Sequence, residues 1–206
     1  MVLLLSKVAC VQSWVVSYTA TQVSVNGETA AGQVSRDPFY TLRLDIKNTE
    51  VWTLEEALRV NFSTEELQDY KLDDGHGDLV EARKTTRLGR LPPILIVNLK
   101  RYEAGSHKKI MKFISFGTHL RLEEILLTED CNPKKFPRDY KLCAVVRHIG
   151  KFSTGGHYVS DVFRAGSWFH CDDTSVRPTD VKAVLSSHAS NTAVLLFYQR
   201  ADQVVG

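Results

Sequence analysis

The stretch "GGHYVSDVFRAGSWFHCDDTSVRP", Gly155 to Pro178, decides how this chain is read. Taken as the two central residues of a hairpin turn, Ala165-Gly166 sets Phe163 opposite Trp168 and Asp172 opposite Val159. His157 and Val159 are two apart and share a sheet face, so the Asp172 carboxylate becomes a diagonal neighbour of the His157 imidazole, within reach of a side-chain hydrogen bond. A carboxylate at one ring nitrogen fixes the tautomer and leaves the other free to take a proton from a thiol or hydroxyl, the division of labour of a nucleophilic triad. Gly155 and Gly156, without side chains, let another backbone pass close or let the chain adopt positive φ. The same pattern also fits a plain surface hydrogen bond beside a bend, and a three-residue turn would break the register.

Around this hairpin, 206 residues suffice for one substantial hydrophobic core, and 43% hydrophobic with 24% charged residues is the balance of a soluble globular protein. A formal net charge of +2 leaves no basic excess to hold a polyanion, so nucleic acid is not an expected partner. The opening MVLLLSKVAC is apolar, but the run is short, no basic residue precedes it and Lys7 interrupts it. Neither a signal peptide nor a membrane span is expected. Cys10, Cys131, Cys143 and Cys171 are scattered without a close pair, which suggests neither a metal knuckle nor a disulfide framework and fits reduced thiols of the cytoplasm or nucleus. His76, His107, His119, His148, His170 and His188 show no HxxxH or HxH spacing, so no metal centre is expected and most of them read as polar surface groups.

Residues 1 to 38 are rich in Val, Ser, Thr, Gln and Ala, carry a turn signal at Asn26-Gly27, and fit either a hairpin or an ill-fitting tail. "FYTLRLDI" then alternates as a strand does, with Tyr40, Leu42, Leu44 and Ile46 on one face and Arg43 and Asp45 on the other. "TLEEALRVNF" places Thr53 three residues before Glu56, a capping box that starts a short helix, and Ser63 before Glu66 marks a second candidate start at "STEELQDY". In "LPPILIVNLKRY", Pro92-Pro93 bars an incoming helix, and Ile94 to Leu99 reads as a strand buried on both faces. "KIMKFISF", "YKLCAVVRHI", "HYVSDVF", "SWFHCDD" and "NTAVLLFYQR" read as further short strands, with one helix near "PTDVKAVLSSH".

Three stretches, "LPPILIVNLKRY", "YKLCAVVRHIGKFSTGGHYVSDVF" and "WFHCDDTSV", in that order and separation, closely resemble the ubiquitin-specific protease family of cysteine deubiquitinases over residues 38 to 202. The resemblance implies an α+β fold of the papain-like cysteine protease superfamily, mostly antiparallel sheet forming the family's palm and fingers, with residues 1 to 37 as an atypical N-terminal segment. It implies hydrolysis of the (iso)peptide bond after the C-terminal glycine of ubiquitin through an acyl-thioester, with ubiquitin and ubiquitinated proteins as partners and no cofactor. By the same resemblance His157 matches the catalytic histidine, Asp172 the residue that orients it, and Asp173 an adjacent polar position that can assist. Gly155, Gly156 and Tyr158 correspond to the wall of the channel that receives the Gly-Gly tail of ubiquitin.

Two departures from the family pattern matter. Many relatives carry a zinc ribbon with Tyr-x-Cys-x-x-Cys, whereas Tyr70 is followed here by Leu72 and Gly75, so no zinc is expected. The family's nucleophile sits in a box like Gly-Asn-Thr-Cys-Tyr at the start of a helix, and no such box occurs in this sequence. Cys10, in "KVACVQS", lacks both the asparagine donor and the helix-opening context that would lower a thiol pKa. Cys143 falls inside a strand, Cys131 in a loop, and Cys171 by alternation faces away from Asp172. The expectation is the C-terminal part of a catalytic domain, without the thumb and its nucleophile and inactive alone. A non-catalytic ubiquitin-binding pseudoenzyme module is the alternative, and a purely structural β-domain a third.

Overall fold

The β-rich segments assemble into two sheets in the computed structural model, which describes residues 17–25, 28–71, 79–102, 105, 107–129, 131 and 137–203. Strand β1 (Ser17–Val25) pairs antiparallel with β2 (Glu28–Phe39), from Ser17 opposite Phe39 to Val25 opposite Glu28. This is the hairpin of the two readings of that segment, although Asn26, Gly27 and residues 1–16 lie outside the described residues. Strand β3 (Leu42–Leu44) buries Leu42 and Leu44, and Ile46 follows them into the core, but Tyr40 turns outward at 81% exposure. Helix α1 (Leu54–Asn61) starts at the expected box: the Glu56 amide donates to Thr53 Oγ1 at 3.1 Å and the Thr53 amide donates to Glu56 Oε2 at 2.9 Å. Its buried stripe is Leu54, Ala57 and Leu58.

The candidate start at Ser63 opens no helix. "STEELQDY" instead supplies β4 (Glu65–Lys71), antiparallel to β5 (Leu79–Leu88). Leu67 and Tyr70 alone would give a helix little to bury. In the sheet, Glu65 and Glu66 meet Lys84 and Arg83 across the strands at 3.2 and 2.9 Å. These strands form a four-stranded sheet in the order β2-β1-β5-β4.

The larger sheet comprises β3, β6 (Ile94–Leu99), β7 (His119–Arg121), β8 (Asp139–Phe152), β9 (Gly155–Arg164), β10 (Ser167–Asp172), β11 (Ser175–Thr179) and β12 (Ala193–Arg200). Its order is β11-β10-β9-β8-β12-β6-β3, with β7 beside β8; β3 and β6 run parallel. Strand β6 is fully buried on one face only, through Leu95, Val97 and Leu99, while Ile94, Ile96 and Asn98 are half-buried. That buried face joins Val145, Leu196 and Tyr198 and the stripe of α1 in one core. Two short helices, α2 (Val181–Val184) and α3 (Ser187–Thr192), replace the single expected one, because the Ser186 hydroxyl accepts from the Ala189 amide at 3.3 Å and starts a new helix.

"KIMKFISF" is not a strand. Its backbone is tied down bond by bond, from the Ser115 amide to the Trp52 carbonyl at 2.8 Å and from the Ile114 amide to the Ser190 carbonyl at 3.2 Å. The completely buried Arg101 guanidinium completes this, donating to the carbonyls of Ala193 (2.6 Å), Ile110 (3.0 Å), Lys112 (2.7 Å) and Ser190 (2.7 Å). Burial lowers its pKa to about 10, so it remains a cation at neutral pH, solvated by peptide dipoles in place of water.

Candidate active site

Ala165 (φ +48°) and Gly166 (φ +79°) both take positive φ, as a two-residue hairpin turn matched to the strand twist requires. The resulting register pairs Phe163 with Trp168, Asp161 with His170 and Ser160 with Cys171. Asp172 closes β10 and pairs with Ser175 across a second tight turn, in which Asp173 takes φ +47°, a conformation aspartate tolerates better than most residues. His157 and Asp172 come together on one face: Nε2 of the imidazole lies 2.5 Å from Oδ1 of the carboxylate. Among the described residues nothing bonds Nδ1, and the two side chains are 45% and 42% exposed. The hydrogen bond, then the charge of Asp172, raises the pKa of His157, with Asp173 adding to it; the same bond lowers the pKa of Asp172. The arrangement is an imidazole oriented by a carboxylate, with Nδ1 open among the described residues.

The neighbouring positions divide. Gly155 is exposed, with open space where a Cβ would point. Gly156 is crowded: a Cβ there would lie 2.1 Å from Nε2 of His148. Tyr158, 51% exposed, rests its ring 4.7 Å from that of His148. His148 is thus no surface group, at 2% exposure, and its Nδ1 lies 2.6 Å from the Tyr102 hydroxyl. His170 is also part-buried, with Nδ1 2.7 Å from Asp161 Oδ1, while Arg147 Nη2 forms an ion pair with Asp161 Oδ2 at 2.9 Å. The His148 cluster and the Arg147–Asp161 ion pair depend on the pairing of β8 with β9, which spacing along the chain does not show, whereas Asp161 meets His170 across the same two-residue turn that sets the register of β9 and β10. Opposing the alternation of β8 to that of β9 would have been the signal for His148, and extending the Phe163–Trp168 register to Asp161 and His170 the signal for the other.

Donor atoms of His157, Asp172 and Asp173 lie within 4.8 Å of one another. The short bond already engages Nε2 and Oδ1 with each other, so these groups are matched as a proton-sharing pair more than as ligands for a cation. Leu72 and Gly75, at the zinc-ribbon positions, and Cys10 lie outside the described residues. Cys131 is buried and its thiol pKa is pushed up by burial; that of Cys143 is pushed up to about 11, and its Sγ donates to the Phe197 carbonyl at 3.3 Å. Cys171 alternates with Asp172 on β10 and so faces the other side of the sheet.

A family model described as ubiquitin carboxyl-terminal hydrolase matches residues 7–198. The chain belongs to this family. It is 36% identical over 172 residues to ubiquitin carboxyl-terminal hydrolase 10 of Rattus norvegicus, covering 80% of this chain and 21% of that protein. It is 32% identical over 196 residues to ubiquitin carboxyl-terminal hydrolase 3 of Saccharomyces cerevisiae, covering 82% of this chain and 21% of the relative. The chain therefore spans about a fifth of the length of these curated relatives. A solved SAGA deubiquitinating module of Ubp8, Sgf11, Sus1 and Sgf73 bound to monoubiquitin is similar at a TM-score of 0.73 and 29% identity, over 89% of this chain and 40% of the solved one. The fold is thus that of the ubiquitin hydrolases, an α+β papain-like architecture dominated by antiparallel sheet. Among the described residues no helix is long and apolar enough to cross a membrane.

Proposed function

We propose that this chain carries the base and its orienter for a thiol-dependent ubiquitin hydrolase. The observation that supports this most is the 2.5 Å bond between His157 Nε2 and Asp172 Oδ1 with Nδ1 left open. In this reading Nδ1 takes the proton of a cysteine thiol, and the thiolate adds to the carbonyl carbon of the C-terminal glycine of ubiquitin. The imidazolium, steadied by Asp172, then protonates the departing amine; water, deprotonated by the same nitrogen, splits the thioester. Asp173 adds negative potential near the ring, and Gly155, Gly156 and Tyr158 border the channel for the ubiquitin tail. Family membership and the ubiquitin held by solved relatives, as monoubiquitin or ubiquitin aldehyde, support the substrate class. Reduced cysteines suit a cytoplasmic or nuclear setting.

A second reading, a ubiquitin-binding module without catalysis, is favoured by one feature: the sequence has no Gly-Asn-Thr-Cys-Tyr-like box, and burial raises the pKa values of the Cys131 and Cys143 thiols. In the catalytic reading, a segment carrying such a box would supply the thiol. Ubiquitin with a thiol-reactive C-terminal group should leave the 206-residue chain unmodified; labelling that disappears in Cys10→Ser would overturn that expectation. When a relative's box-bearing segment is supplied, turnover of a ubiquitin C-terminal fluorogenic amide should appear and fall by about a hundredfold or more in His157→Ala or Asp172→Asn. Unchanged turnover in both would contradict the residue roles, and ubiquitin binding without turnover would leave the second reading.

A further inference from the structure

We propose that Tyr102, His148 and Lys109 form a positioning layer that holds the Gly155-Gly156-His157 backbone from behind, at the place where the His157 imidazole meets Asp172. This rests on the assignment of His157 as base, but its test requires no turnover.

The layer lies on the opposite side of the sheet from the reacting face. His148 pairs with Tyr158 and Ile149 with His157, so by alternation His148, Gly156 and Tyr158 share one face and His157 the other. The His148 ring fills the volume a Gly156 side chain would need: a Cβ there would meet Nε2 at 2.1 Å, Cε1 at 2.5 Å and the Ile149 carbonyl at 2.7 Å. On the facing strand, a Cβ at Gly150 would meet the Gly155 carbonyl at 2.9 Å and His148 Cε1 at 3.0 Å. The two glycines let the ring lie directly against the backbone that leads into His157.

Two side chains fix that ring and a third holds its backbone. The Tyr102 hydroxyl lies 2.6 Å from Nδ1, with the tyrosine ring edge-on at 77°, and the Tyr158 ring packs at 4.7 Å. Lys109, itself buried, donates from Nζ to the His148 carbonyl. Its backbone is anchored in turn, with the Lys109 amide bonded to the Lys151 carbonyl at 2.9 Å and the Ser153 amide to the His107 carbonyl at 2.8 Å. The titratable groups facing His148 are Tyr102, Lys109 and Tyr158, and those facing His157 are Asp172 and Asp173. Burial and the Lys109 charge lower the pKa of His148, so the ring is neutral and acts by shape and hydrogen bonding. Since a misplacement on the order of 1 Å can cost about a hundredfold in rate, a base at the end of a strand gains from such backing.

The test is an NMR titration of the His157 ring in the intact 206-residue chain. Tyr102→Phe removes one hydroxyl and keeps the ring; Gly156→Ala drives a methyl into His148. Both should loosen the bond to Asp172, so that the His157 pKa falls toward the ordinary imidazole value and its ring nitrogens shift toward tautomer-averaged positions. Thr53→Ala, which weakens the remote cap of α1, serves as a control that lowers the melting temperature and leaves the His157 titration unchanged. If Tyr102→Phe and Gly156→Ala lower the melting temperature but titrate like the parent, the layer is merely structural and the proposal is wrong. Should Gly156→Ala fail to fold, Tyr102→Phe decides alone. An altered titration in a chain that neither binds nor cleaves ubiquitin would unseat the function and leave the positioning intact.

Discussion

Nε2 of His157 stands 2.5 Å from Oδ1 of Asp172 although fifteen residues separate them, because a two-residue turn brings their strands into diagonal register. The bond raises the pKa of the histidine and lowers that of the aspartate. For His157 the stability gained is complete below its unfolded value near 6.5 and is lost as pH rises through the raised folded value. For Asp172 it is present above 3.8 and lost as pH falls through the lowered folded value. The pair thus supports the fold most between those two ordinary values, weakly because both groups face solvent. The free base appears only above the raised value of His157. An NMR titration should show this, and Asp172→Asn should return His157 toward its ordinary value; superimposable curves would contradict the pairing.

Ala165 holds φ +48° in the turn that sets this register, a conformation that disfavours a residue with a Cβ. Ala165→Asn should stabilise the chain by up to about 1 kcal/mol, because Asn-Gly is the preferred pair for this turn. Urea unfolding would show a higher midpoint at unchanged slope.

Thr53 and Glu56 close a reciprocal pair of bonds at the start of α1, at 3.1 and 2.9 Å. Thr53→Ala should destabilise the chain by about 1 kcal/mol without touching the His157 site. Thermal melts would register the loss.

Arg101 satisfies four buried carbonyls at 2.6 to 3.0 Å. Arg101→Met keeps bulk and strands those acceptors, so the loss should be about 3 kcal/mol or more. A denaturation midpoint close to the parent's would show that water replaces the guanidinium there.

The His157–Asp172 pair was legible in the sequence because everything that determines it is local: one two-residue turn and strict alternation on either side. The capping box of α1 was legible for the same reason. "STEELQDY" misled because its choice between helix and strand depends on pairing with β5, a partner whose place beside it the local capping pattern does not show. "KIMKFISF" misled because an Arg101 side chain and isolated backbone bonds, not a neighbouring strand, satisfy its peptide groups. The burial of His148 was hidden for a similar reason: it depends on where β8 meets β9, and a register shift beyond Ile149 conceals that in the chain.

The most direct test of the central claim, that the His157 face receives the tail of ubiquitin, is titration of isotope-labelled chain with intact ubiquitin and with ubiquitin lacking its C-terminal Gly-Gly. Intact ubiquitin should bind weakly, with Kd on the order of tens of micromolar or higher, since contact over part of an interface lacks some of its anchors. It should move the amide signals of Gly155, Gly156, His157 and Tyr158, and the truncated form should leave those four unmoved. Absence of binding at millimolar ubiquitin, or equal shifts with and without the tail, would contradict the account.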